Sequence, residues 1–443
     1  MRGIYIMTID LSRYQAALEK ASAVETLGTV RSAIGLAVEA CGVKASIGDY
    51  CHVKAAADEA PILTEVVGFR NDAILLMPFG VLHGIRPGAH VQRISSGQTI
   101  PMGPALLGRV IDALGAPIDG KGPLVGAQRI PLQNAAPLPL ERPRIAHPLP
   151  TGVRVLDAAL TAGKGQRMGI FSGSGVGKST LLGMIARGAQ ADIIVIGLIG
   201  ERGREAQEFI EKNLGKEGLA RSVLVIATSD QPAVMRLKAA WTATAVAEAY
   251  RDSGKHVLLL LDSLTRVAMA QREIGLATGE PPALRGYTPS VFALIPRLIE
   301  RAGAAPLGVI SAFYTVLVEG DDMNEPIADT ARGVLDGHIV LSRALAAENI
   351  FPSIDILHSI SRVMPDITEP HHMLLASRLR DALATYEKHK DLITIGAYQI
   401  GSNQIIDRAI ALQSRIIAFQ RQEFSVLEPF DQSIEQLDAI FQY

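Results

Sequence analysis

The 443-residue sequence is poor in cysteine and its charges are almost balanced. Its two cysteines, Cys41 and Cys51, are too few for the disulfide framework of a secreted protein, and neither belongs to a pair with metal-ligand spacing. The 43 basic and 45 acidic residues give a net charge of −2, which argues against a strongly basic nucleic-acid-binding protein. We therefore expect reduced thiols, a cytoplasmic location and no nucleic-acid partner.

Long apolar runs and a secretory signal are also missing. The longest uncharged stretch, residues 302–318, is too short and too interrupted by glycine and proline to cross a bilayer comfortably. The first ten residues lack the basic segment, apolar run and cleavage site of a signal peptide, and either Met1 or Met7 could be the true start. A chain about three times the length of a typical domain is expected to form two or three globular units.

Apolar spacing near the N-terminus predicts a helix. Residues 1–38 are predicted to form an amphipathic helical segment, because Leu11, Tyr14 and Leu18 recur at helical intervals between charged residues. This helix either docks a partner or packs on its own domain.

Four further segments differ in their glycine, proline and apolar content. Residues 39–105 contain short apolar runs separated by glycine and proline, which indicates a small β-barrel. Residues 106–150 form a proline-rich connection in which neither a long helix nor a central strand can persist. Residues 151–370 alternate apolar strands with helices, which indicates an α/β domain with a mainly parallel sheet, and residues 371–443 are predicted as a helical C-terminal domain.

The stretch 167–182 resembles a Walker A phosphate-binding loop between a strand and a helix. Its glycines permit backbone conformations that turn amides toward a phosphate at the N-terminus of a helix beginning near Lys178. In such a loop Lys178 contacts the β- and γ-phosphates and the hydroxyl of Ser179 binds Mg²⁺. The first glycine of the general pattern is replaced by Ser172. The predicted nucleotide-binding residues of the loop are Gly173, Ser174, Gly175, Val176, Gly177, Lys178, Ser179 and Thr180.

Two downstream acidic residues can complete a hydrolytic site, which also needs a metal ligand and a group that orients water. An apolar strand at 256–261 ends at Asp262, the Walker B arrangement, and would place this carboxylate at the edge of the sheet where ligands bind. Alternatively, Asp262 caps the helix that follows. Glu201 directly follows the apolar strand 193–199 and would face the same edge, although an ordinary loop charge would show the same spacing.

Further motifs occur in a fixed order along most of the chain. They include Gly-Glu-Arg-Gly-Arg-Glu at 200–205, Asp-Ser-Leu-Thr-Arg at 262–266 and a stretch at 352–362. The last fits a signature of proline, then serine, alanine or proline, then an aliphatic residue, with a Ser-x-Ser pair at its end. Together they resemble the rotary ATPase α/β superfamily, and more narrowly the type III protein export ATPases, closest to the flagellum-specific ones. The resemblance implies a small β-barrel, a central RecA-like P-loop domain and a helical C-terminal domain.

The resemblance assigns catalytic roles position by position. It implies that Glu201 polarises the attacking water and that Glu205 holds the water shell of Mg²⁺, with Ser179 and Asp262 as direct ligands. It also implies that Arg362, which follows the Ser-x-Ser pair, acts in trans as an arginine finger.

Other positions surround the nucleotide in the family. The resemblance places Arg202 and Arg266 around the γ-phosphate. It places Phe351, where tyrosine is common, against the adenine ring. Stacking needs only a ring face, so the phenylalanine is expected to serve.

The function implied is ATP hydrolysis that energises type III export of flagellar proteins, through chaperone release and substrate unfolding at the export gate. The ATPase of a virulence type III secretion injectisome is the close alternative. More distant alternatives are a rotary ATP synthase β subunit, which would carry an acidic run in a longer helical region, and an RNA-translocating hexameric ATPase, which would need aromatic and basic residues interleaved in the barrel. A non-hydrolysing binding subunit is opposed by the intact Lys178, Glu201 and Asp262.

Partners also follow from the resemblance. One chain carries both the P-loop and the finger arginine, so a homohexamer is expected. The other implied partners are a stator-like regulator dimer at the N-terminal helix, a coiled-coil stalk protein in the ring, an export-gate membrane protein and export chaperone-substrate complexes. The implied location is cytoplasmic, peripherally associated with the inner membrane at the export apparatus.

Overall fold

A computed structural model describes residues 27–54, 60–97, 99–318, 320 and 322–442. The chain divides into two compact units, Met1–Gly97 and Gln98–Tyr443. None of the described helices is long and apolar enough to span a membrane.

The first unit is a closed barrel of antiparallel strands in the order β1-β2-β5-β4-β3-β6. Strands β1 to β6 are Leu27–Ile34, Ala37–Cys41, Tyr50–Lys54, Ile62–Arg70, Ala73–Pro78 and His90–Ser95. Buried side chains on alternating strand positions, among them Val38, Val53 and Val91, fill its interior. The predicted β-barrel is therefore confirmed.

The helix predicted over residues 1–38 is wrong for its described part. Residues 27–34 and 37–41 are the first two strands of the barrel, and Val30 and Val38 point into its core. In β1 the first four residues alternate between exposed and buried, a period of two that the helical spacing of the preceding residues obscured. Residues 1–26 lie outside the described residues, so the helix there stays a prediction.

The second unit is built on a sheet in the order β17-β16-β10-β15-β13-β11-β12-β8, with β14 beside β15. Strands β7 to β17 are Thr99–Met102, Val110–Ile111, Gln128–Pro131, Arg167–Ser172, Ile193–Ile199, Ser222–Ala227, His256–Asp262, Gly303–Ala304, Val309–Leu317, Gly337–Leu341 and Ile354–Ser361. Neighbours pair in parallel except at β16–β17 and β14–β15. The predicted mainly parallel α/β domain is confirmed.

Helices cover both faces of this sheet and extend to the C-terminus. Helices α1 to α13 are Arg154–Ala159, Lys178–Gly188, Gly203–Glu208, Gly215–Ala220, Ala233–Asp252, Leu264–Thr278, Pro289–Ile299, Pro326–Val334, Arg343–Ala347, Met364–Ile367, Pro370–Thr394, Gln404–Gln420 and Phe430–Ala439. A π-helical turn, Phe209–Leu214, joins α3 to α4, and short 3₁₀ turns span Pro104–Leu106, Pro139–Glu141 and Leu284–Gly286. Strands β11, β12 and β13 are buried along their whole length, which explains why their sequences are apolar except at some strand ends.

The proline-rich stretch forms only short elements. Strand β8 lies at the edge of the main sheet, beside β12, and β9 pairs with β7 in a separate two-stranded ribbon. Neither is a central strand, in agreement with the proline content.

The C-terminal helical region is confirmed. Side chains of α11 to α13, such as Leu379, Ile416 and Leu437, belong to the same hydrophobic core as the central sheet. The boundaries at residues 105, 150 and 370 stay predictions.

Candidate active site

The predicted P-loop connects the end of β10 to the start of α2. Gly175 and Gly177 adopt φ angles of 79° and 90°, in the left-handed region that favours glycine. At Gly173 an added Cβ would lie 2.5 Å from Nη2 of Arg343, so the flexible side chain of Arg343 would have to move. Among the loop residues Ser174 and Ser179 are exposed, whereas Val176 is buried. The loop therefore opens to solvent at the N-terminus of a helix, where backbone amides and the helix dipole favour an anion.

Lys178 brings the two predicted acidic residues together. Its Nζ atom hydrogen-bonds Oδ1 of Asp262 and lies 3.3 Å from Oε1 of Glu201. This meeting follows from strand order, because β10, β13 and β11 run in parallel and their carboxyl ends share one edge of the sheet. Thr315, at the end of the intervening β15, donates its hydroxyl to Oδ1 of Asp262 at 2.6 Å.

Burial and mutual charge shift the ionisation of this cluster. Burial lowers the pKa of Lys178, but Asp262 and Glu201 raise it by more, so its pKa lies above the ordinary value. The pKa of Glu201 is raised, first by burial and then by the charge of Asp262 and a hydrogen bond with Glu205, while Lys178 opposes the rise. Lys178 is thus held cationic, and Glu201 retains a proton more readily than a free glutamate.

Arg202 lies at the margin of this cluster. Its side chain is 82% exposed, and its Nη1 atom lies 3.5 Å from Oε1 of Glu205. The structure therefore brings Glu205 to Glu201 but leaves Arg202 directed to solvent.

Two predicted nucleotide-contacting residues flank the P-loop cluster. Arg266, in the first turn of α6, packs closely on Gly200. A Cβ added at Gly200 would lie 2.8 Å from the Cβ of Arg266. The ring of Phe351 is 37% exposed and lies beside Gly177, where an added Cβ would be 3.4 Å from Cδ1 of the ring. Phe351 therefore offers a partly open aromatic face next to the phosphate loop.

Arg362 lies at the opposite edge of the sheet from the P-loop. Strand β17 is antiparallel to β16, and its last residue, Ser361, pairs with Gly337 at the start of β16. Gly337 also pairs with Met168, near the start of β10. The P-loop begins at the other end of β10, and a strand rises about 3.3 Å per residue. Arg362 is exposed, and its Nη2 donates to the carbonyl of Arg332 at 3.4 Å.

Sequence reasoning missed the residues that support this site from neighbouring elements. Ser353 donates its hydroxyl to the carbonyl of Val176 in the P-loop, at 2.7 Å. The backbone amide of Gln422, after α12, donates to the backbone carbonyl of Phe351 at 2.8 Å. Along the chain, the only signal was the position of Ser353 inside the signature; nothing pointed to Thr315 or Gln422.

Family models match the barrel, the central domain and the C-terminal helical region. The nucleotide-binding domain of the ATP synthase alpha/beta family matches residues 152–361, the β-barrel domain of that family matches residues 30–94, and the T3SS EscN ATPase C-terminal domain matches residues 368–439.

Relatives match along nearly their full length. The flagellum-specific ATP synthase of Bacillus subtilis is 53% identical over 424 residues, which cover 96% of this chain and 97% of the relative. The type 3 secretion system ATPase of Xanthomonas euvesicatoria is 50% identical over 413 residues, 93% of each chain. The solved structure of the assembled ATPase EscN from enteropathogenic E. coli is similar with a TM-score of 0.89 at 45% identity, covering 94% of this chain and 100% of that one.

Fold and site define a P-loop enzyme that binds and hydrolyses a nucleoside triphosphate. The relatives narrow this class. The chain belongs to the type III protein export ATPases of the rotary ATPase α/β superfamily, and its activity is ATP hydrolysis coupled to type III export. The family identified from the sequence motifs is confirmed.

Proposed function

We propose that this ATPase hydrolyses Mg²⁺-bound ATP at a site shared by adjacent copies of the chain in a homohexameric ring. The observation that carries the proposal is the separation of Lys178 and Arg362 at opposite edges of one sheet. Within one chain Arg362 cannot reach a phosphate held by the P-loop. Supplied by a neighbouring copy, it completes the positive charge around the transferring group, a contribution worth roughly 10³ to 10⁵ in rate.

The P-loop and its acidic residues supply the other half of the site. Lys178 now pairs with Asp262 and Glu201, and on binding of the triphosphate it turns to the β- and γ-phosphates. Ionised Glu201 then accepts a hydrogen bond from the attacking water and orients it in line with the γ-phosphate. Arg202 follows Glu201 in the chain and Arg266 packs on Gly200, and we propose that both approach the γ-phosphate when the nucleotide binds.

The oxygen donors at this edge fit Mg²⁺. The hydroxyl of Ser179 and the carboxylate of Asp262 are hard ligands of the kind that hold this ion together with substrate phosphates, and Glu205 would contact it through water. When bound, Mg²⁺ neutralises charge that develops on the phosphate oxygens. Thr315 keeps the Asp262 carboxylate oriented through its 2.6 Å hydrogen bond.

Phe351 is the proposed contact for adenine. Its exposed face lies beside the P-loop, and loss of such a stacking surface typically costs about 1–3 kcal/mol. No hydroxyl is needed for this contact.

In the cell, we propose that the ring releases chaperones from flagellar export substrates and unfolds those substrates at the export gate. Support comes from the flagellum-specific names of relatives in Bacillus subtilis and Treponema pallidum, the latter 48% identical over 97% of this chain. The ring would lie in the cytoplasm, at the inner-membrane export apparatus, with an export-gate membrane protein and chaperone-substrate complexes as partners.

Two further partners are proposed for the ring. The solved EscN relative was determined as an assembled ATPase and also in complex with its central stalk EscO, at a TM-score of 0.86 and 44% identity. By analogy, we propose a coiled-coil stalk protein in the ring of this chain. A stator-like regulator dimer is proposed at the N-terminal segment.

The injectisome remains the second candidate, because the Xanthomonas type 3 secretion system ATPase is 50% identical. Deletion of the gene distinguishes the two systems. Loss of flagellar filaments with intact effector secretion supports the flagellar assignment, and the reverse phenotype supports the injectisome.

The shared site is tested by mixing two inactive variants, Lys178→Ala and Arg362→Ala. Each alone is expected to lose hydrolysis, because one lacks the phosphate lysine and the other the finger. In randomly mixed rings about one quarter of the interfaces pair an intact P-loop with an intact finger, so activity should return to roughly that fraction. Mixed rings verified by mass measurement that recover no activity would contradict a site shared between copies.

A further inference from the structure

The segment before β17 connects the proposed adenine contact to the P-loop through one side chain. We call residues 350–353 the adenine strap. Its last residue, Ser353, is only 1% exposed, and its hydroxyl donates to the carbonyl of Val176 at 2.7 Å. Val176 is itself buried at the tip of the P-loop, immediately before Gly177. The strap is therefore bonded to the loop at the point where the loop turns into α2.

The other hydrogen bonds of the strap lead elsewhere. The carbonyl of Ser353 accepts from the amide of Ser342, and the carbonyl of Phe351 accepts from the amide of Gln422, each at 2.8 Å. Among the described residues, the Ser353 hydroxyl makes the side-chain hydrogen bond that joins the strap to the P-loop. The ring of Phe351 lies beside Gly177, where an added Cβ would be 3.4 Å from Cδ1.

The direction of this bond suits a loop that binds phosphate. A P-loop turns its amides toward the anion, so its carbonyls face away and need partners of their own. Ser353 satisfies one of those carbonyls from behind. The same hydroxyl therefore ties the P-loop to the segment that carries Phe351.

We propose that Ser353 is a positioning residue that couples the adenine contact to the phosphate site, so that stacking on Phe351 and phosphate binding reinforce each other. The proposal rests on the proposed role of Phe351. Ser353 touches neither substrate nor metal; it acts through Val176 and the strap. Its loss weakens binding of the whole nucleotide more than binding of the phosphate chain alone.

The test compares ATP with inorganic tripolyphosphate, which has the phosphates but no base. In assembled protein, Ser353→Ala should raise KM for ATP about 3- to 10-fold, the change expected for one neutral hydrogen bond, with kcat within about twofold. The inhibition constant of tripolyphosphate should change less than about twofold. Ser353→Thr keeps the hydroxyl and should remain close to the wild type in KM.

Ser222→Ala provides the matched control. Ser222 is also fully buried and donates its hydroxyl to a backbone carbonyl, that of Gly218, at 2.6 Å, but it lies at the start of β12, away from the strap. Its loss should leave KM for ATP unchanged. An equal change in both variants would show a general effect of stability and overturn the proposal.

Phe351→Ala separates failure of this inference from failure of the proposed function. If Phe351→Ala leaves KM for ATP unchanged, the adenine role itself is wrong. If Phe351→Ala weakens ATP binding, the double variant should be no weaker than Phe351→Ala alone, because the hydroxyl then has no stacked ring to couple. Additive effects, or an equal loss of tripolyphosphate binding in Ser353→Ala, would show that Ser353 merely supports the loop and would overturn the coupling.

Discussion

Lys178 and Arg362 are both predicted to stabilise the transferring phosphate, but their charges lie in opposite environments in the fold. Lys178 is largely buried, with 12% of its side chain exposed, and two carboxylates of its own chain neutralise it. Arg362 is exposed and contacts a backbone carbonyl, and no carboxylate among the described residues lies within ion-pair distance of it. The difference shows which half of the site one chain completes by itself. A buried charge must be paired within the fold, whereas an exposed one remains available to a neighbour.

The largest expected difference between these two residues is in nucleotide binding by unassembled protein. Lys178→Ala should weaken binding of a fluorescent ADP analogue by about 10- to 100-fold, because charged hydrogen bonds to phosphate are lost. Arg362→Ala should change it less than about twofold, because Arg362 lies at the other edge of the sheet. Fluorescence titration at concentrations below assembly measures both. Equal losses in the two dilute variants would place both residues in one intramolecular site.

Asp157 is a buried carboxylate with no cation beside it among the described residues, in contrast to Asp262, which pairs with Lys178. Its ionisation should make the stability of the protein depend on pH. Asp157 is fully buried and accepts hydrogen bonds from the amide and hydroxyl of Thr151 and the amide of Gly152, at 2.7 to 3.0 Å. Burial nevertheless raises its pKa to about 7. An aspartate in the unfolded chain has a pKa of about 3.9, so the folded state binds this proton more readily than the unfolded state. The stability that the protonated form contributes is therefore lost as pH rises from about 4 to about 7.

Thermal unfolding of Asp157→Asn checks this sign. The asparagine cannot ionise, so the difference between the melting temperatures of the wild type and the variant should change as pH rises from 5 to 7, with the wild type losing ground. Each kcal/mol of unfolding free energy that the wild type loses should lower its melting temperature by about 2 °C. Asn can cost stability at every pH, because its amide faces the amide of Gly152. Only the slope with pH is diagnostic, and parallel curves for the two proteins would contradict the raised pKa.

The smallest expected effect concerns the departure from the Walker A pattern. Ser172 is 2% exposed, and its hydroxyl has no hydrogen-bond partner among the described residues. Ser172→Ala should therefore raise the free energy of unfolding by about 1 kcal/mol, whereas Ser222→Ala, which removes a satisfied hydroxyl, should lower it by about as much. Urea denaturation of the two variants measures this contrast. A loss of stability in Ser172→Ala would reveal an ordered water or another partner for the hydroxyl.

Local patterns were sufficient for much of the fold and the phosphate site. The P-loop is contiguous, so its glycines, Lys178 and Ser179 could be identified without tertiary information. Asp262 and Glu201 could be placed near it because parallel strands bring their carboxyl ends to one edge. The helix predicted over 27–38 is wrong, because the helical spacing of the residues before 27 was extended into a strand in which exposed and buried side chains alternate. Which side chains of that strand are buried depends on the neighbouring strands of the barrel, and no local pattern encodes those neighbours.

The supporting contacts could not be predicted in the same way. Thr315 reaches Asp262 because β15 lies between β10 and β13, an order that differs from the order along the chain. Ser353 meets Val176 across 177 residues of sequence, and Gln422 meets Phe351 across the boundary between the sheet and the C-terminal helices. Each depends on a long-range pairing.

The amino-acid sequence by itself determined the chemistry of this protein: a phosphate loop, its acidic partners and the motifs of an export ATPase, all set by residue types at short, fixed spacings. Only the tertiary structure decided where those groups stand. The antiparallel return of β17 carries Arg362 to the far edge of the sheet, and strand order pairs Lys178 with both carboxylates. The reason is that spacing along a chain is a local property, whereas the edge of a sheet at which a side chain emerges depends on the direction and order of strands distant in sequence.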